Sequence, residues 1–172
     1  LLEQHARDAQ SPELARQAAA LAVVMAVTVS EVFLNLWFRV RVEEKCIAGH
    51  RESFLRDLES RVSLERKLKH WPTRYLSAPL NLSSGAGHEF SLLKTIRNSI
   101  IHFTSSHESV EVNSISIHGL ADTSDYDALS SKQATWALHT AENLVAEVFR
   151  LAGVAEEDIP HALHVWIGKP VG

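Results

Sequence analysis

Residues 11–44 read SPELARQAAALAVVMAVTVSEVFLNLWFRVRVEE, and this stretch decides the fold class. Ser11, Pro12 and Glu13 form a helix start. The hydroxyl can accept an orphan backbone N–H, proline fits the first helical position, and the carboxylate complements the helix dipole. The periodicity carries that helix to about Glu44 and makes it apolar nearly all round its middle. Such a helix is buried on several sides, and Thr28, Glu31, Asn35 and Arg39 leave one polar line along it at helical spacing. The charge-free run from Ala18 to Val29 is too short to cross a bilayer, and extending it to Phe38 takes in Ser30, Glu31 and Asn35. A core helix is expected there, with no membrane partner. No charged amino end with an apolar stretch and cleavage site opens the sequence, so a secretory leader is not expected.

Three further helices follow from the same reading. Phe54, Leu58, Val62, Leu68 and Trp71 mark a second one over residues 52–71, stopped by Pro72. Residues 77–87 carry Pro79, Ser83, Ser84, Gly85 and Gly87, the composition of a loop. The third helix spans residues 89–104, with Phe90, Leu93, Ile96, Ile100 and Phe103 on its apolar side. The fourth runs from Ser130 or Ser131 to Gly153, with an inward stripe that includes Ala134, Ala137, Ala141, Leu144 and Val148. Between the last two, Val110, Val112, Ile115 and Ile117 alternate briefly, so an inserted loop or small hairpin is expected near residues 105–127. The fold class is therefore all-α: a four-helix bundle in one domain of 172 residues, core about 11–153, with a C-terminal tail over 154–172 that packs back on the bundle or lies on a partner.

Composition restricts the chemistry. With 45% apolar and 22% charged residues the chain is an ordered globular protein. A net charge of −4 excludes the global basic footprint of a non-specific nucleic-acid binder, so contact with phosphates must come from a local patch. Cys46 is the single cysteine, which rules out an intramolecular disulfide framework and agrees with a cytoplasmic location. Cys46 with His50, and His161 with His164, have loosely ligand-like spacing, but each pair lacks the third and fourth ligand of a metal site. No metal or other cofactor is expected. The basic residues Arg51, Arg56, Arg61, Arg66, Lys67 and Lys69 of the second helix are interleaved with Glu52, Asp57, Glu59 and Glu65, the pattern of a solvated face, with an RNA-contacting rim as the alternative that the mixed sign disfavours. Trp37, Trp71, Trp136 and Trp166 read as core or dimer-interface anchors.

The third helix carries the reactive side chains. Ser91, Thr95, Asn98 and His102 share one stripe, bordered by Lys94 and Arg97. The segment Arg97, Asn98, Ser99, Ile100, Ile101, His102 resembles the signature of the HEPN superfamily, an Arg followed by a polar residue and then a His a few residues on. Ser30, Glu31, Val32, Phe33, Leu34 and Asn35 resemble the pattern often found on the first helix of such proteins.

The resemblance implies a homodimer whose two signature helices face each other across a composite cleft, and a metal-independent endoribonuclease acting as a toxin or antiviral effector, with a cognate antitoxin as a further partner. It implies that Arg97 holds the phosphate and stabilises transition-state charge, while His102 moves a proton to or from the ribose 2′-OH and the leaving 5′-oxygen. Asn98 would orient the phosphate or the imidazole, and Lys94 would contact RNA. Glu31 would pair with Arg97 or set the His102 tautomer, with Asn35 in support. The superfamily also includes non-catalytic modules that bind RNA, nucleotide or a partner protein, which is the alternative reading.

Overall fold

In the computed structural model a short helix, α1 (Leu2–Asp8), precedes the long helix α2 (Pro12–Glu44), whose 33 residues match the span that the sequence predicts. The structure describes residues 1–9, 11–44, 49–76, 78–101, 110–112, 115–117 and 123–168. Ser11 caps α2 as expected, its hydroxyl accepting the Leu14 N–H at 3.2 Å.

Residues 52–71 do not form one helix. They divide into α3 (His50–Glu59) and α4 (Leu64–Trp71). The N–H groups of Ser60, Arg61 and Val62 turn back to the carbonyls of Arg56, Leu58 and Asp57, and Arg61 takes a φ of 50°. Ser63 then starts α4 afresh, its hydroxyl accepting the Arg66 N–H at 3.3 Å, with Glu65 in the first turn. Pro72 does not end the helical path either. It adopts helical angles, and the chain continues through a π-helical turn, Pro72–Leu76, whose wider winding accommodates a residue without an N–H.

The next helix, α5 (Gly85–Ile101), starts four residues earlier than residue 89, where the sequence places it. The cause is Asn81, whose amide oxygen accepts the N–H groups of Ser83 at 2.9 Å and Ser84 at 3.1 Å, winding the loop into the helix. Gly87 lies against the same residue: a Cβ there would meet the Asn81 carbonyl oxygen at 2.3 Å. A helical Gly→Ala change ordinarily stabilises by about 1 kcal/mol. Here Gly87→Ala is expected to destabilise by about 1–3 kcal/mol, because backbone would have to move. Urea denaturation gives the sign directly, and a stabilised variant would refute the close approach.

A hairpin of two three-residue strands follows, β1 (Val110–Val112) and β2 (Ile115–Ile117), paired antiparallel with Val110 opposite Ile117. This is the hairpin alternative of the expected insertion. The chain closes with α6 (Ser124–Asp127), α7 (Ser131–Leu151) and α8 (Ile159–Ile167). Helix α7 ends as the sequence indicates, at Gly153 with φ 82°, where the Gly153 N–H reaches Arg150 O at 2.9 Å and the Val154 N–H reaches Phe149 O at 3.0 Å. Among the described residues the architecture is all-α with this one minor hairpin.

The chain forms two compact units, Leu1–Met25 with Leu92–Leu138, and Ala26–Ser91 with His139–Gly172. Helices α2, α5 and α7 each contribute to both. In the first unit the buried residues are small, among them Ala19, Ala22, Ala134 and Ala137, with Val23 and Leu93. Polar ties hold its segments: Thr135 donates to Glu3 at 2.7 Å, and the Tyr126 hydroxyl donates to Glu13 at 2.9 Å. Hydrogen bonds from Arg16, Tyr126 and Gln17 hold the Glu13 carboxyl below its ordinary range.

The second unit is built on aromatic side chains. Phe54 and Trp71 lie with ring centroids 4.8 Å apart, Phe38 packs on Trp71 at 5.6 Å, and Phe33 meets Phe149 edge-on at 5.6 Å. Trp166 of α8 reaches Phe33 at 6.0 Å, so the tail packs back within this unit. Trp37 and Trp71 are core residues, as expected. By length and composition α2 is apolar enough to cross a membrane, and 44% of its most apolar window is buried. Within the second unit it leaves Val29, Val32, Leu36 and Val40 exposed along one line.

Candidate functional site

Helix α5 sinks its first half and presents its second. Phe90 and Leu93 are fully buried, Ile96 and Ile100 are half-buried, and Thr95, Asn98 and Ile101 are exposed. Among the described residues the inward face expected from the sequence is therefore tight only near the amino end of the helix, and Arg97 and Asn98 stand where its cover thins. Ser91 turns its hydroxyl onto the Gly87 carbonyl at 2.9 Å, and Ser99 does the same with Ile96 at 2.8 Å. Both are engaged with their own helix.

Arg97 is half-buried, and its Nε is shielded from solvent with no hydrogen-bond partner among the described residues. No carboxylate among the described residues pairs with its guanidinium. Buried guanidinium N–H groups ordinarily find acceptors, so this side chain holds donor capacity that the described protein groups do not use. Asn98 follows it, exposed, and Lys94 is half-buried one turn earlier. These three share α5 within the first unit. His102 lies outside the described residues, as does Phe103.

Glu31 and Asn35 belong to the second unit. Sequence reading paired the Glu31 carboxylate with Arg97 or His102; the partner that the structure gives it is Lys67, whose Nζ donates to Oε1 at 2.6 Å. Lys67 is only 5% exposed and lies 5.5 Å from the centre of the Trp71 ring, so it does not belong to the solvated face assigned to it. The cause is the break at residues 60–63, which resets the helical phase and turns Lys67 inward toward α2. Ser63 followed by Glu65, an N-cap pattern inside the supposed helix, was the available signal. Glu31 thus acts within the structure as a charge partner for α4. Asn35 is half-buried, and its amide oxygen is shielded without a partner among the described residues.

Among the described residues no group of three or more His, Cys, Asp or Glu side chains is placed to hold a metal ion. Cys46 lies outside those residues. Comparison with known protein families, with curated proteins and with solved structures gives no match for this chain.

Proposed function

We propose that this protein is a metal-independent endoribonuclease of the HEPN type, with Arg97 and His102 as its catalytic pair. The observation that carries the reading is Arg97 itself: a half-buried guanidinium without a carboxylate partner among the described residues, next to an exposed Asn98 on the thinly covered end of α5. A cation so placed suits a phosphodiester, whose oxygens accept the planar fork of N–H groups. The His102 imidazole takes the proton from the ribose 2′-OH; that oxygen attacks phosphorus, and the P–O5′ bond breaks as the resulting imidazolium returns the proton to the leaving oxygen. The products are a 2′,3′-cyclic phosphate and a 5′-hydroxyl. Asn98 and Lys94 assist in holding the backbone. A toxin or antiviral effector, restrained by a cognate antitoxin, is the physiological setting this reading suggests.

The test is cleavage of single-stranded RNA in excess EDTA by the wild type and by His102→Ala and Arg97→Ala. Cleavage lost in both variants supports the assignment, whereas equal cleavage by all three rules it out. RNA bound but not cut by the wild type would favour the non-catalytic alternative.

A second contact between copies, apart from the signature helices, is offered by α2, where Val29, Val32, Leu36 and Val40 form an exposed apolar line at helical spacing. A second copy laid along that line would cover it. Leu36→Glu is expected to convert the dimer to a monomer in sedimentation velocity, since it places a charge in the centre of the contact. A wild type that stays monomeric across the accessible concentration range would remove the dimer.

A further inference from the structure

The interruption between α3 and α4 creates a groove of about 380 Å³ in the second unit, lined by Asp57, Arg66, His70, Thr73 and Arg74. We propose that this groove is a binding site for a phosphate group, separate from Arg97 and independent of the ribonuclease reading. Arg66 and His70 lie one turn apart on one face of α4, and the π-helical turn that follows brings Arg74 to the same groove.

The charges in the groove are unequally engaged. Asp57 is recessed, with its side chain 18% exposed, and its Oδ2 accepts the Trp71 indole N–H at 3.1 Å. Arg74 approaches that oxygen only to 3.7 Å and is 49% exposed. Arg66 makes no ion pair among the described residues. Two guanidinium groups and an imidazole therefore line the groove against one carboxylate, which keeps its charge when it accepts the indole N–H and pairs with Arg74, so Arg66 is the cation left without an ion pair among the described residues. The balance selects an anion.

Forked N–H donors from two arginines, with the Thr73 hydroxyl between their positions in sequence, suit the several oxygens of a phosphate better than a single carboxylate. The volume also exceeds what a bare phosphate fills, which leaves room for an attached sugar. The source can be a free mononucleotide or a polynucleotide backbone.

Calorimetric titration of the full chain with inorganic phosphate, adenosine monophosphate and a short single-stranded DNA separates these sources, and DNA offers no 2′-hydroxyl for cleavage. At least one probe is expected to saturate with a millimolar or tighter dissociation constant. Arg66→Gln and Arg74→Gln should each weaken it about tenfold. Arg66→Lys, which keeps the charge and loses the fork, should fall between. Arg51→Gln, which removes one exposed cation that does not line the groove, should leave affinity nearly unchanged. Strongest binding of the mononucleotide identifies a free nucleotide, and strongest binding of DNA identifies a backbone. Absence of saturable binding by all three probes, or equal weakening by Arg51→Gln and Arg66→Gln, would overturn the site. The outcome is independent of RNA cleavage, so failure here and failure of the Arg97 and His102 assignment remain distinguishable.

Discussion

His102→Ala is expected to lower the rate of RNA cleavage by about 10²–10⁴-fold, the range that a positioned proton-transfer group contributes. The loss should fall on kcat, because a group that acts on the proton in flight stabilises the transition state more than the bound substrate. Arg97 behaves differently. In the proposed mechanism its guanidinium contacts the phosphate both before and during reaction, so Arg97→Ala should raise KM as well as lower kcat. Arg97→Lys should recover part of the binding and little of the rate, since an ammonium supplies charge without the planar fork. Product analysis supplies a separate check: a 2′,3′-cyclic phosphate and insensitivity to EDTA are both required. A 3′-hydroxyl product, or a rate restored only by added metal, would exclude 2′-OH attack as the mechanism.

The largest stability effect is expected at Trp71. This side chain is 1% exposed, packs on Phe54 and Phe38, donates its indole N–H to Asp57, and carries the Lys67 ammonium over its face. Trp71→Ala removes all four interactions and leaves a cavity, so a loss of about 3–5 kcal/mol in unfolding free energy is expected. Trp71→Phe keeps a ring in place and gives up the hydrogen bond, at about 1–3 kcal/mol. Urea denaturation followed by circular dichroism measures both. A loss below about 1 kcal/mol for the alanine variant would mean that this aromatic cluster does not organise the second unit. The same residue links the core to the groove, because its N–H holds the Asp57 carboxylate in a recessed position.

The long helix was legible in the sequence because every determinant lies within it: a Ser cap, a proline at the first position, and more than twenty residues without a breaker. The ends of α7 were legible for the same reason, since Ser130, whose hydroxyl accepts the Lys132 N–H, and Gly153 act on their own neighbours. The break between α3 and α4 was harder to read. Residues 52–71 hold no proline or glycine, and their apolar spacing tolerates one continuous helix. The Ser63 cap is a local signal, but choosing the interrupted path also requires Phe54 and Trp71 to meet in one aromatic cluster, a contact no short window contains.

The same distinction runs through the candidate site. Arg97, Asn98 and their spacing from His102 are properties of six consecutive residues and needed only the sequence. The exposure of Asn98 beside a shielded Arg97 Nε came from packing, as did the pairing of Glu31 with Lys67 across 36 residues of chain. By itself the sequence determined the helical class, the long central helix and the motif, because helix periodicity and capping act over a few residues. Tertiary structure alone decided which charges are paired, which remain available to a ligand, and where Arg66, His70 and Arg74 open onto a groove. Burial and ion pairing depend on distant segments meeting, and no local pattern encodes that meeting.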